Sequence, residues 1–176
     1  MAGMLIVDLD DTLIDSQSLL ATRKAKNWKE CVRRCGEVAP FPGILDLITR
    51  LKAEGVLIGV VTNSVSYYAS HMLAHCGIVV DTLVAWHDTS QHKPRPEPVV
   101  EAISRLGNKN PAARDCIVGL GDAGHDHAAY KAAGLLGVGA GWSPVLDRTA
   151  GWDRVASVPG ELLALYPKCP GGARTA

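Results

Sequence analysis

The run Val56-Leu57-Ile58-Gly59-Val60-Val61 contains no polar side chain and ends abruptly on Thr62-Asn63-Ser64. A strand with one wet face alternates apolar and polar residues. A continuous apolar run of this length fits a strand buried on both faces, the condition of a parallel sheet covered by helices. Four further runs read as strands: Met4–Val7, Val79–Ala85, Cys116–Leu120 and Leu135–Val138. Helical patterns lie between them. Ile44, Leu47, Ile48 and Leu51 form an i, i+3, i+4, i+7 stripe behind a Pro42-Gly43 turn. Ser64–His75 and Pro98–Leu106 read as helices, and Ala128–Ala133 sits in another. This alternation predicts an α/β fold, a three-layer α/β/α sandwich on a parallel Rossmann-like sheet.

A chain of 176 residues, 47% apolar, is long enough to bury a full core as one domain. We expect residues 1–166 to form it, with 167–176 as a flexible tail. The 18 basic residues equal the 18 acidic ones, which argues against a protein held on nucleic acid by bulk charge. No run approaches the ~18 apolar residues of a membrane span. The start, Met1 to Asp8, lacks a basic region and meets an acid early, so it does not read as a signal peptide. Five cysteines without paired short spacings read as reduced thiols, and the expected compartment is the cytoplasm.

Ligands of such sheets bind beyond the carboxyl ends of the strands. The first predicted strand is followed by Asp8-Leu9-Asp10-Asp11-Thr12, the second by Thr62-Asn63-Ser64 and the fourth by Gly121-Asp122-Ala123-Gly124-His125-Asp126. Beyond the third lies Lys93-Pro94. Gathered carboxylates repel one another unless a cation sits among them. All-oxygen donors suit Mg²⁺, which keeps several waters and accepts a phosphate oxygen. A lysine and a threonine hydroxyl can bind the other phosphoryl oxygens. An aspartate can attack phosphorus, and a second acid two residues on can protonate the leaving oxygen. Singly, each residue is an ordinary turn former, helix cap or surface lysine. The ordered set carries the reading.

Asp8-Leu9-Asp10-Asp11-Thr12-Leu13, Thr62-Asn63, Lys93-Pro94 and Gly121-Asp122 with Asp126 resemble the four motifs of the haloacid dehalogenase superfamily. Ala128-Ala129, Ala133-Gly134 and Gly141-Trp142 are similar to the phosphoglycolate phosphatase branch. The resemblance implies a Mg²⁺-dependent phosphomonoester hydrolase working through an aspartyl-phosphate. It implies Asp8 as nucleophile, Asp10 as general acid and base, and Thr62, Asn63 and Lys93 around the phosphate. Asp8, Asp10, Asp122 and Asp126 are the implied metal residues. Asp10 stands where the dehalogenases themselves lack an acid, and Thr12 where the family's phosphomutases often carry valine. A phosphomutase or a non-catalytic phospho-ligand module is the alternative. Response-regulator receiver domains gather similar residues, but their order differs: here it is Asp, Thr, Lys, then Asp and Asp.

The interval from Leu13 to Phe41, where relatives of this kind carry a helical cap, fits one long helix or a short hairpin. A minimal cap leaves an open site. Arg23, Lys24, Lys26, Lys29, Arg33 and Arg34 lie within it, with Trp28 among them. These cations predict a basic helix over Arg23–Arg34, either a solvated face or a rim that recruits a polyanion. The expected ligand is a phosphorylated small molecule, with a polyanionic macromolecule or a partner subunit as further possibilities. His71 and His75, and His125 and His127, lack a third metal ligand in an obvious place and read as surface or helix-end residues, with His125 near the site mouth. Cys31 and Cys35 have no histidine near in sequence and are not read as a bridge or metal site.

Overall fold

The computed structural model of the chain describes residues 3–168. The elements run β1 (Gly3–Val7), β2 (Ile14–Asp15), α1 (Leu20–Lys24), α2 (Trp28–Arg33), β3 (Ala39–Pro40), α3 (Ile44–Ala53), β4 (Val56–Val61), α4 (Ser66–His75), β5 (Thr82–Val84), α5 (Glu97–Lys109), β6 (Ile117–Gly121), α6 (Gly124–Ala132), β7 (Leu136–Ala140) and β8 (Arg154–Ala156). Six strands form one sheet in the order β5-β4-β1-β6-β7-β8, with every pairing parallel. The chain builds outward from β1 on one side, then returns to build outward on the other. A crevice therefore opens beyond the ends of β1 and β6, where ligands of open sheets bind.

β1 shows why the core has two halves. All five of its residues are buried, and successive side chains point to opposite faces. Leu5 and Val7 join the cluster that packs α3 and α4, while Met4 and Ile6 join the one that packs α5 and α6. The stripe read in α3 is the buried one, Ile44, Leu47, Ile48 and Leu51. In α4 the buried residues are Tyr68, Ala69, Met72 and Leu73.

Close packing of helix on sheet fixes Gly119. A Cβ there would overlap the Tyr130 ring, whose hydroxyl donates to the Leu120 carbonyl at 2.8 Å. Gly119→Ala should destabilise the protein by about 1–3 kcal/mol, seen as a fall of several degrees in the thermal unfolding midpoint.

The structure departs from the expectations in three places. The sheet has a sixth strand, β8, a three-residue edge that opens on Arg154 and exposes Val155. Its register on β7 comes from three residue pairs and has no sequence periodicity to announce it. The basic segment is two helices, not one, because Lys26 takes a left-handed backbone (φ 54°) and turns the chain between them. Cys116 is disulfide-bonded, whereas Cys31, Cys35 and Cys76 are free thiols, so the cysteines are not uniformly reduced. The expected tail begins at Pro167, and Pro167 and Lys168 end a stretch of 3-10 turns from Pro159. Its remainder, 169–176, lies outside the described residues. Among the described residues no helix is long and apolar enough to cross a membrane.

Candidate active site

β1 delivers Asp8 to the crevice, and its backbone N–H continues the ladder to the Leu120 carbonyl at 3.0 Å. The chain then curls: the amides of Leu13 and Ile14 both donate to the Leu9 carbonyl, at 3.0 and 3.2 Å. This turn, with Asp11 at φ 63°, keeps Asp10 and Thr12 close to the strand end. β6 delivers Asp122, and the first turn of α6 delivers Asp126. Asp126 Oδ2 accepts the Ala123 N–H at 3.1 Å, anchoring the side chain to the helix start while Oδ1 lies toward Lys93.

Lys93 joins these groups. Its ammonium is fully buried and lies 2.6 Å from Asp8 Oδ1, 2.6 Å from Asp126 Oδ1 and 2.6 Å from the Val61 carbonyl it donates to. Burial alone would lower its pKa, but the Asp126 and Asp8 carboxylates more than offset that and hold it above the ordinary lysine value. The loop that carries it is clamped by Asn63. The Asn63 amide donates to the Lys93 carbonyl at 2.9 Å, and the Lys93 N–H donates back to Asn63 Oδ1 at 3.1 Å. Thr62 is buried beside them, its hydroxyl oxygen accepting the Ser64 N–H at 3.0 Å.

One carboxylate oxygen from each of Asp8, Asp122 and Asp126 lies within 4.8 Å of the other two. Burial, followed by the Asp126 charge, pushes Asp122 up to about 7. Burial lifts Asp8 well above the carboxylate range, against the pull of Lys93 and with the help of Asp126, Asp122 and Asp10. Asp126 Oδ1, despite the nearby ammonium, has no partner placed in hydrogen-bond geometry. Three converging carboxylates, two of them reluctant to ionise, are the donor set a hard divalent cation would complete.

Asp10 sits in a different setting. Its Oδ1 accepts from Tyr68 at 2.6 Å and Ser16 at 2.9 Å, and its Oδ2 accepts from Ser64 at 2.8 Å. Arg23 of α1 reaches in from the insert, 3.4 Å from Asp10 Oδ2 and 2.8 Å from Asp11 Oδ2. Arg23 is therefore a part of the site and not of a surface rim. Tyr68, Ser16 and Ser64 were not candidates from sequence. Ser64 lies two residues past Thr62, but Tyr68 reaches Asp10 across 58 positions and only tertiary packing reveals it.

The other cations of the insert are largely tied up. Arg33 pairs with Glu30 at 2.5 Å and Arg34 with Glu37 at 2.6 Å, both three residues apart. Lys24, Lys26 and Lys29 are exposed. Trp28 packs inward, its ring 5.3 Å from that of Tyr68. His71 and His75 are exposed on α4, and His127 is buried against the edge of Trp152. The crevice encloses about 240 Å³ and is lined by Asp8, Asp10, Arg23, Thr62, Asp122 and His125, among others.

Residues 21–140 match the family model of the haloacid dehalogenase-like hydrolases. The chain belongs to that family. The match starts after Asp8 and Asp10, so their placement rests on the geometry above. Among curated relatives, the phosphoglycolate phosphatase of Salmonella typhimurium is 32% identical over 114 residues. That stretch is 61% of this chain but 44% of the relative, so the chain spans less than half the length of the curated relatives it matches. The fold is shared with solved structures. CbbY from Rhodobacter sphaeroides, solved in complex with phosphate, superposes with a TM-score of 0.76 at 20% identity, over 92% of this chain and 96% of that one. A hydrolase from Pseudomonas syringae gives 0.76 at 21%, over 94% and 98%.

Proposed function

We propose that the protein is a Mg²⁺-dependent phosphate monoester hydrolase. The carrying observation is the buried ammonium of Lys93 wedged between Asp8 and Asp126, with Asp122 completing a carboxylate triangle. Asp8, Asp122 and Asp126, with the Asp10 backbone, would hold the metal. When bound, the ion would neutralise phosphoryl oxygens and offset the charge that grows in the transition state. The other roles fall to the chain itself. Asp8 attacks phosphorus and carries the phosphoryl group as an acyl phosphate. Asp10 gives a proton to the leaving oxygen and later takes one from the attacking water. Thr62 and the Asn63 backbone bind phosphate oxygens, and Lys93 adds a fixed positive charge. Arg23, Tyr68, Ser16 and Ser64 orient Asp10. The insert over residues 13–41 acts as a reduced cap, and residues 1–166 work as one catalytic unit. A phosphorylated small molecule is the substrate class that fits the small crevice. The relative named phosphoglycolate phosphatase supports the hydrolytic reading.

The test is phosphate release across a panel of phosphate monoesters with and without Mg²⁺. Metal-dependent release from at least one ester is expected. Its absence from all of them, with the protein folded, overturns the assignment.

Metal binding should also carry a proton signature. Asp122 is held near 7, so below that pH it is mostly protonated and must lose its proton to act as a ligand. Mg²⁺ should bind more weakly as pH falls from ~8 to ~6, releasing about one proton per ion at the acid end. Titration calorimetry in two buffers of different ionisation heat measures this. The same shift sets the sign for the metal-free protein. An acid whose pKa is raised on folding gives stability that declines as pH rises from ~4 to ~7, and Mg²⁺ should suppress that decline.

A further inference from the structure

A second hollow opens beside the carboxylate crevice. It encloses about 330 Å³ and is lined by Lys26, Trp28, Asn63, Val65, Trp86 and His87. Asn63 lines both spaces, and the same two segments bound them. The loop after β4 gives Thr62 and Ser64 to the crevice and Val65 to the hollow, and the insert gives Arg23 to the crevice and Lys26 and Trp28 to the hollow. Their chemistry is opposed. The crevice is walled by acids and hydroxyls, and the hollow by two indoles and a valine.

The direction of the reaction decides which half of a substrate meets which wall. In the hydrolysis proposed above, phosphorus sits at Asp8 and the leaving oxygen faces Asp10. The alcohol half of the substrate then extends away on the Asp10 side. Asp10 accepts from Tyr68 at 2.6 Å, and the Tyr68 ring meets the Trp28 ring at 5.3 Å. Tyr68 is itself fully buried and braces Trp28 from behind, while the residue that the crevice and the hollow share is Asn63. Trp86 also lines the hollow, and its ring is stacked on His92 at 3.4 Å and 23° and still keeps 37% of its surface exposed. That stack holds the indole in place at low entropic cost. An indole that is braced by one ring and still partly open is a ready stacking surface. Lys26 stands at the rim in the left-handed backbone that separates α1 from α2, a conformation that is rare outside glycine and concentrated at functional sites.

We infer that the hollow is the leaving-group subsite and that it selects phosphate monoesters whose alcohol half carries a planar aromatic or heteroaromatic ring. The inference rests on the hydrolase reading for its direction. The ring would pack on the apolar lining, Trp28, Trp86 and Val65. The hollow's volume is at the small end for ligand sites and suits one ring system, and a wider groove of about 710 Å³ that shares Lys26, Trp28, Val65 and His87 with it leaves room for the rest of the alcohol half.

The experiment compares kcat/KM for phenyl phosphate, adenosine 5′-monophosphate and glycerol 3-phosphate, with Mg²⁺ present. Wild type should favour at least one ring-bearing ester over glycerol 3-phosphate by tenfold or more. The two ring esters distinguish a simple aryl alcohol from a nucleoside as the source of the ring. Trp86→Ala should collapse that ratio towards one, chiefly through KM. Trp86→Leu keeps apolar bulk without the ring, and should also lose most of the preference. Equal or better use of glycerol 3-phosphate by wild type overturns the inference, as does an unchanged ratio in both variants. If no ester is hydrolysed, the hydrolase reading fails and binding alone judges the hollow. In that case phenol and adenosine are titrated into the protein while the indole N–H resonances of Trp28 and Trp86 are followed. Saturable shifts of both resonances with either probe sustain a ring site, and no shift with either overturns it.

Discussion

Replacing Asp8 by asparagine will lower Mg²⁺-dependent phosphate release by about 10⁴-fold or more, because no other group can take over bond formation to phosphorus. The fold should survive. Asp8 is a reluctant anion, raised by burial and by the three neighbouring aspartates, so removing its charge relieves as much repulsion as it loses attraction to Lys93. Lys93 keeps Asp126 at 2.6 Å. The thermal unfolding midpoint should therefore stay within a few degrees of wild type. Mass spectrometry of protein quenched during turnover should find the phosphoryl adduct in wild type and lack it in the variant. Turnover within tenfold of wild type overturns Asp8 as nucleophile.

Lys93→Met should damage stability as well as activity. The methionine fills most of the space, but Asp8 and Asp126 lose their ammonium and the Val61 carbonyl loses a donor. Removing one partner of a buried ion cluster costs about 3–5 kcal/mol, or roughly 10 °C in a protein of this size. The sign with pH is fixed. Without the lysine, Asp8 rises further above its unfolded value and binds a proton in the folded state over a wider range. The deficit against wild type should thus be largest at alkaline pH and shrink on acidification through the raised Asp8 value, as measured by denaturant unfolding across pH. A deficit that grows on acidification would mean that Lys93 is not the counter-charge of this carboxylate.

The carboxylates, the threonine and the lysine were readable in the sequence because each follows a strand, and buried parallel strands announce themselves as apolar runs. The same rule placed β4 to the residue, Val56–Val61. It failed where the run is short. β8 has three residues, two of them exposed, and at an edge the sheet supplies the register that the side chains do not. The setting of Asp10 was hidden for another reason. Tyr68, Ser16 and Arg23 come from three elements, and their meeting depends on how α4 and α1 pack. The break at Lys26 had no glycine or proline to signal it. The pairings Glu30–Arg33 and Arg34–Glu37, by contrast, were open to view at their three-residue spacing, and they would have reduced the apparent charge of the insert.

The two ends of the insert touch. β2 and β3 pair through Ile14–Pro40 and Asp15–Ala39, and the Phe41 N–H donates to the Leu13 carbonyl at 3.0 Å. What lies between them is a loop already closed at its neck. Doubling the length of such a loop adds only about 0.6 kcal/mol of closure entropy. The sheet therefore does not register how much chain hangs above it. Chain can be added between the two halves of the neck at small closure cost, so long as the residues the insert lends to the core and the site, Leu19, Cys31, Val38 and Arg23, keep their places.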